Sequence, residues 1–158
     1  MAEKSKNQHD DMVLTVDATD CVAGRMCSQI SKHLLRGYRV RVVNAEKAMI
    51  SGQRHMILDS YKKFLTISSA TNPINGPYHP RRPDRILSRM IRGMLPKRKP
   101  SGISALKRLR VHISVPPELK ESKKETFESS RIRRPHFYYL TLGQVAKEIG
   151  WNGRDNYE

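Results

Sequence analysis

Residues that carry chemistry are scarce in this chain, and each shortage removes a class of function. Two cysteines, Cys21 and Cys27, occur among 158 residues. Their six-residue offset matches no familiar metal motif, and so low a count suits a reducing compartment better than a disulfide framework. Cys27 falls on the inward stripe of a predicted helix, which gives it a packing role. No apolar run approaches the ~20 residues that span a bilayer. The opening MAEKSKNQHDD has no apolar signal core. A cytoplasmic protein without a membrane partner is the expectation.

Catalytic groupings are missing as well. The six histidines, His9, His33, His55, His79, His112 and His136, show neither HxxxH nor HExxH spacing, so no metal site is expected. Between residues 13 and 117 the carboxylates are Asp17, Asp20, Glu46, Asp59 and Asp84. Asp17 ends a predicted strand, where α/β enzymes often place function. Local hydrogen bonding or helix capping accounts for it equally well. The turn VDATDCVAGR contains neither GxGxxG nor GxxxxGK[ST], and no serine nucleophile elbow occurs. No catalytic residue, cofactor or small-molecule substrate follows. Aromatics make up 6% of the chain, which limits base stacking as a source of specificity.

What is abundant is positive charge. Thirty Lys and Arg face fifteen Asp and Glu, giving a formal charge of +15 and a pI near 10.2. Such an excess suits phosphate backbones. It is densest in residues 81–110, RRPDRILSRMIRGMLPKRKPSGISALKRLR. Arg81, Arg82, Arg85, Arg89, Arg92, Lys97, Arg98, Lys99, Lys107, Arg108 and Arg110 stand there against Asp84, eleven positive charges to one negative. Pro83 suits a first helical position, where its missing N–H loses nothing. Asp84 suits the positive end of the helix dipole. Ile86, Leu87, Met90, Ile91, Met94 and Leu95 recur on one side of that helix. Arg82, Arg85, Arg89 and Arg92 recur on the other. Pro96 stops the helix, Lys97-Arg98-Lys99 forms a basic connector, and a second short helix follows over Ser101–Leu106. One arginine stripe alone reads equally well as a solvated face. The contiguity of stripe, connector and the 107–110 cluster favours a nucleic acid.

Around this segment the chain reads as an α/β domain. VLTVDA at 13–18 predicts a strand. Thr19 and Asp20 offer N-caps, and Val22–Arg36 predicts a helix ended by Gly37. Residues 38–44 predict a second strand, parallel to the first. A short strand at 48–50 and a helix over 53–65 follow, the latter with Ile57, Tyr61, Phe64 and Leu65 inward. A long loop rich in Pro, Asn, Gly and Ser leads back to the basic helix, and such loops are often functional. In it Tyr78 and His79 suit stacking on unpaired bases, and Arg81 and Arg82 suit phosphates. Leu109–Val115 alternates in polarity and predicts the last strand of the sheet. Arg25, Lys32 and Arg54 add to the basic surface. Residues 1–12 read as a tail, 13–117 as the body, and 118–158 as a charged extension ending in a short helix. The stretch 118–134 has too few apolar groups to fold well alone, and its Arg131, Arg133 and Arg134 suit contact with RNA. Thr141 and Gln144 match a capping box for the final helix.

These residues, taken in order, resemble the ribosomal protein L13 family, also called uL13. The matching segments are VDATDCVAGRMCSQISKHLL, VVNAEKAMISG, GPYHPRRPDRI, RMIRGMLPKRKPSGISALKRLRV and the PP after the last predicted strand. The resemblance covers about residues 13–117 and continues more weakly to the end. The short link between the first two strands resembles archaeal and eukaryotic members, because bacterial members carry a longer N-terminal insertion. The ending RIRRPHFYYLTLGQVAKEIGW resembles archaeal members and lacks the longer basic helix of eukaryotic ones. The resemblance implies a three-layer α/β/α fold with a four-stranded parallel sheet and basic extensions. It implies large-subunit ribosomal RNA and neighbouring ribosomal proteins as partners, a part in early subunit assembly, and scaffolding in place of catalysis. It carries RNA contact onto Arg89, Arg92, Lys97 and Lys99, and close packing or close approach onto Gly93. A regulator that binds messenger RNA away from the ribosome is the alternative. A nucleotide-dependent enzyme would need the phosphate loop that the sequence lacks.

Overall fold

The computed structural model describes residues 12–153, apart from the side chain of Pro73. Of the tail expected at 1–12, residues 1–11 lie outside that range. In chain order the elements are β1 (Val13–Asp17), α1 (Ala23–Leu35), β2 (Arg39–Val43), β3 (Met49–Ser51), α2 (Arg54–Thr66), α3 (Pro83–Met94), α4 (Pro100–Lys107), β4 (Leu109–Val111), β5 (Lys124–Glu125), β6 (Tyr139–Thr141) and α5 (Leu142–Glu148).

The main sheet has four parallel strands in the order β4-β2-β1-β5. β1 and β2 pair along their whole lengths, from Val13 opposite Arg39 to Asp17 opposite Val43. Successive side chains on a strand point to opposite faces. Thr15 and Val16 on β1 are both buried, as are Val42 and Val43 on β2. Both faces of the central strands are therefore covered, as a three-layer α/β/α arrangement requires. The core joins Val16, Val40 and Val42 of the sheet to Met26, Cys27, Ile30 and Leu34 of α1 and to Ile86, Leu87 and Ile91 of α3.

The fourth strand differs from expectation. The sequence marks Leu109–Val115 as the last one, but the strand ends at Val111. His112 still donates its N–H to Val42, at 2.8 Å. Pro116 and Pro117 soon follow, and neither has an N–H to give a ladder. The sheet is completed by β5, drawn from the charged stretch 118–134. That stretch is anchored on the body. Leu119 and Ser130 are buried. Val22 donates to the Ser130 carbonyl at 2.7 Å, and Phe127 stacks on His33 with ring centroids 5.6 Å apart.

The start of α1 also corrects the sequence. Its N-cap is Val22, with no side-chain cap. Thr19 instead donates from its N–H and its hydroxyl to Asp17, at 3.0 and 2.7 Å. Asp20 sits at φ 55°, away from a capping geometry. The short strand expected at 48–50 pairs antiparallel with β6, Ile50 opposite Leu140. This ties the end of the chain to its middle. The capping box forms as predicted, with Thr141 and Gln144 each bonding the other's backbone N–H.

Candidate nucleic-acid interface

α3 places the basic face. Pro83 is at its first turn with Asp84 beside it, as the propensities of both residues direct. Pro83, Ile86, Leu87, Ile91 and the following Leu95 are buried, whereas Arg85, Arg89 and Arg92 are exposed. Met90 is half-buried, and Met94, expected inward, is 44% exposed. Arg82 is turned back on Asp84, its Nε 3.2 Å from Oδ1 and its Nη2 3.3 Å from Oδ2. The acidic residue of this segment is thus paired with a neighbouring arginine and drawn away from the rest of the stripe.

Arg85, Arg89, Arg92 and Lys97 converge on one open groove of about 640 Å³, walled by Pro77, Tyr78 and Pro80 on one side and by Leu106 and Leu109 on another. No carboxylate lines it. Four cations facing one cavity repel one another, and a polyanion relieves that repulsion. Arg89 also has an architectural task. Its Nη1 donates to the Tyr78 carbonyl, and its guanidinium lies over Phe64, 4.6 Å from the ring centroid. It therefore fastens the proline-rich loop to α3 and α2.

Of the two residues expected to stack on bases, Tyr78 is 76% exposed. The His79 ring is engaged within the protein. Its Nε2 is 2.6 Å from the Ile67 carbonyl, and it meets Phe64 edge-on at 4.4 Å. These contacts close the long loop and set the groove wall.

Gly93 lines the groove, and a Cβ built there meets nothing within 4 Å. Close packing inside the protein is therefore not its role. Gly102 is the glycine that packing demands, a role not assigned to it from the sequence. A Cβ on Gly102 would lie 2.2 Å from the Pro96 carbonyl oxygen. This contact seats the 96–100 connector on α4. The signal available was a glycine inside a predicted helix directly after a proline stop.

Lys97, Arg98, Lys99 and Lys107 are exposed. Arg108 is half-buried, and its Nη2 donates to the Leu34 carbonyl at 2.7 Å. It supplies a cation and a donor to the C-terminal end of α1. Arg110 bonds the Leu109 carbonyl at 3.1 Å. Arg81 lies against Gly150 after α5. Arg25 and Lys32 are exposed on α1. Arg54 pairs with Glu148 at 2.6 Å, joining α2 to α5. Arg131, Arg133 and Arg134 are exposed on the later segment and do not line the groove.

Three buried or half-buried groups outside the groove are shifted from their ordinary values. Burial first, and then Arg41 and Arg110, push the His112 pKa down, so its ring adds no charge at neutral pH. Burial, reinforced by Asp17, raises the Cys21 thiol to about 11, and burial raises Cys27 to about 12. Both stay protonated and unreactive. Among the described residues no cluster of metal-ligating side chains occurs. Among them also, no helix is long and apolar enough to cross a membrane.

Residues 11–118 match the family described as Ribosomal protein L13. The chain belongs to this family. It is similar along most of its length to proteins named Large ribosomal subunit protein uL13. That of Aeropyrum pernix is 41% identical over 141 residues, which cover 89% of this chain and 91% of the relative. That of Archaeoglobus fulgidus is 39% identical over 150 residues, 94% of each. That of Saccharolobus solfataricus is 38% identical over 147 residues, 92% of this chain and 98% of the relative. The archaeal character read from the C-terminal ending agrees with these relatives, which bear the name of a ribosomal protein and not of an enzyme.

Proposed function

We propose that this chain is a structural component of the large ribosomal subunit. It holds ribosomal RNA by electrostatic clamping, supports subunit assembly, and works in the cytoplasm beside other large-subunit proteins. The supporting observation is the convergence of Arg85, Arg89, Arg92 and Lys97 on a groove without a carboxylate. Family membership agrees with it.

The body over 13–117 acts as a rigid mount. Its groove takes a sugar–phosphate strand. The 97–99 connector and Lys107 extend the positive surface beyond the groove mouth. Each phosphate neutralised releases counterions and steepens the log–log salt dependence by about 0.7–0.9. Selectivity comes from the shape of folded RNA. The described residues after 117 fold back on this body, giving β5 to its sheet, pairing β6 with β3 and burying Leu142 and Ala146 of α5 in its core.

The test is a sucrose-gradient separation of a gentle lysate, before and after a high-salt wash, for the wild-type chain and for Arg85→Glu with Arg92→Glu. Wild-type protein should travel with the large subunit through the wash, and the double variant should be depleted from it. Wild-type protein found only at the top of the gradient would reject the ribosomal role and favour an RNA-binding regulator.

A further inference from the structure

We infer that Phe137 and Tyr138, with Arg134 beside them, form a platform that stacks unpaired bases of a single-stranded RNA segment, apart from the phosphate groove. The inference rests on the RNA-binding reading and adds a second kind of contact to it.

Phe137 is 75% exposed and Tyr138 45% exposed. Two large aromatic rings left in water are unfavourable for the isolated chain, and exposed clusters of this kind mark binding surfaces. The rings already touch, with centroids 4.0 Å apart and planes tilted by 35°. The Arg134 guanidinium lies 5.9 Å from the Tyr138 ring centroid. Ring faces and a guanidinium plane are the groups on which unpaired bases stack.

The backbone beneath is fixed. His136–Tyr138 forms a single 3-10 turn, and Tyr138 donates its N–H to Pro135 at 3.1 Å. The Tyr138 carbonyl accepts from Gly52 at 3.0 Å. β6 begins at the next residue and pairs with β3. Leu140, two residues on, is buried. Little backbone freedom is lost when a base lands there.

Charge decides the kind of partner. From Glu128 to Glu148 the sequence has no intervening carboxylate, while Arg131, Arg133, Arg134 and Lys147 lie between them. Arg131 lies beside Asp17 and Asp20, whereas Arg133 and Arg134 are exposed in the run that leads to the rings. Aromatic faces next to these arginines suit a partner with flat apolar rings and a negative backbone. An apolar protein surface would use the rings and bury the charges at a cost. A duplex presents its phosphates and hides its base faces, so the platform should favour single strands.

The experiment uses the full-length protein with two probes, an oligoadenylate of about ten nucleotides, within the site sizes of stacking grooves, and an RNA hairpin whose long stem is closed by a compact four-nucleotide loop with its bases stacked inward. Affinities are read across a salt series. Phe137→Ala with Tyr138→Ala should weaken oligoadenylate binding roughly ten-fold, leave its salt slope unchanged, and leave hairpin binding unmoved. Phe137→Leu, which keeps the apolar bulk and removes the ring face, should weaken it in the same direction. Phe137→Trp should bind at least as well as wild type. Arg85→Glu with Arg92→Glu should lower the salt slope on the hairpin instead.

Equal oligoadenylate affinity in the aromatic variants and wild type overturns the platform. If the arginine variant still loses hairpin binding, the phosphate groove stands without the platform. A wild-type protein that binds neither probe overturns both readings. An aromatic variant that binds RNA normally but fails to enter the large subunit assigns the pair to a neighbouring protein and also overturns the proposal.

Discussion

Asn44 donates from Nδ2 to Oδ1 of Asp17 at 3.0 Å, joining the C-terminal ends of β1 and β2. Asn44 is buried and left-handed, at φ 56° and ψ 39°, a conformation that asparagine tolerates better than most residues. The same Asp17 oxygen accepts from Thr19. The position that a doubly wound enzyme would give to catalysis is used here to lock two strand ends. Burial raises the cost of charge on Asp17, but the bonds from Asn44 and Thr19 and the charge of Lys124 outweigh it and hold the carboxyl below its usual range.

That balance predicts an acid dependence. A carboxyl whose folded pKa lies below its unfolded value contributes stability above the unfolded pKa, and this is lost as pH falls through the folded one. Melting temperature should therefore drop below about pH 4. Asp17→Asn should flatten that part of the profile and cost stability at pH 7. Asn44→Ala should cost about 1–2 kcal/mol at neutral pH, from a lost hydrogen bond and a strained backbone. A wild-type melt that falls no faster in acid than that of Asp17→Asn would contradict this account of Asp17.

Arg108 gives a second test, because it separates architecture from RNA contact. Its bond to the Leu34 carbonyl satisfies an acceptor that the end of α1 leaves open. Arg108→Met should lower stability by about 1–2 kcal/mol in the protein without RNA. Exposed Lys107→Met should leave the melting temperature within error. Equal melts for the two variants would show that Arg108 is another surface cation.

The contrast between those neighbours marks how far the sequence could be read. α3 was legible because Pro83, Asp84 and a clean apolar stripe all favour the same helix. Arg85, Arg89 and Arg92 were legible because helical spacing puts them opposite that stripe, and Lys97 because it stands in the basic connector after Pro96. The capping box at Thr141 was legible because its chemistry is local. β5 was not, since a two-residue Lys-Glu edge strand carries no apolar alternation and gains its place only from β1. The β3–β6 pair was hidden by the long stretch of chain between its strands. Thr19 was misassigned because a cap for α1 and a turn on Asp17 use the same hydroxyl, and tertiary pairing with Asn44 decided between them. The separate duties of Arg89 and His79 in holding the loop depend on Phe64, which only the folded chain brings beside them.

Gly102 supports a prediction that the sequence alone would not make. The Cβ of Gly102→Ala would meet the Pro96 carbonyl oxygen at 2.2 Å and its carbon at 2.7 Å. These are backbone atoms, so the connector must move. The cost should be about 1–3 kcal/mol, as for other overpacked sites. Lys97, Arg98 and Lys99 would be displaced with the connector, and RNA affinity should fall although no charge is lost. Thermal melts and RNA titrations on one preparation read both effects. An unchanged melt would show that the connector yields without strain.

Gly93 makes the opposite case and bears directly on the groove. It lies in the last turn of α3, and a Cβ there meets nothing within 4 Å. Alanine at a compatible helical site gains roughly 0.4–1 kcal/mol, chiefly by restricting the unfolded chain. Gly93→Ala should therefore raise the melting temperature by about 1–4 °C, given the usual relation of stability to melting temperature for chains near this size. Gly93→Leu should melt no lower than wild type, because its side chain projects into open space between Arg92 and Lys97. The same side chain would occupy the volume that a phosphate needs to reach those cations. Its affinity for large-subunit RNA should fall several-fold while that of Gly93→Ala falls less. Wild-type affinity in Gly93→Leu would place the RNA elsewhere on the basic surface, because a strand seated between Arg85 and Lys97 could not clear a leucine there.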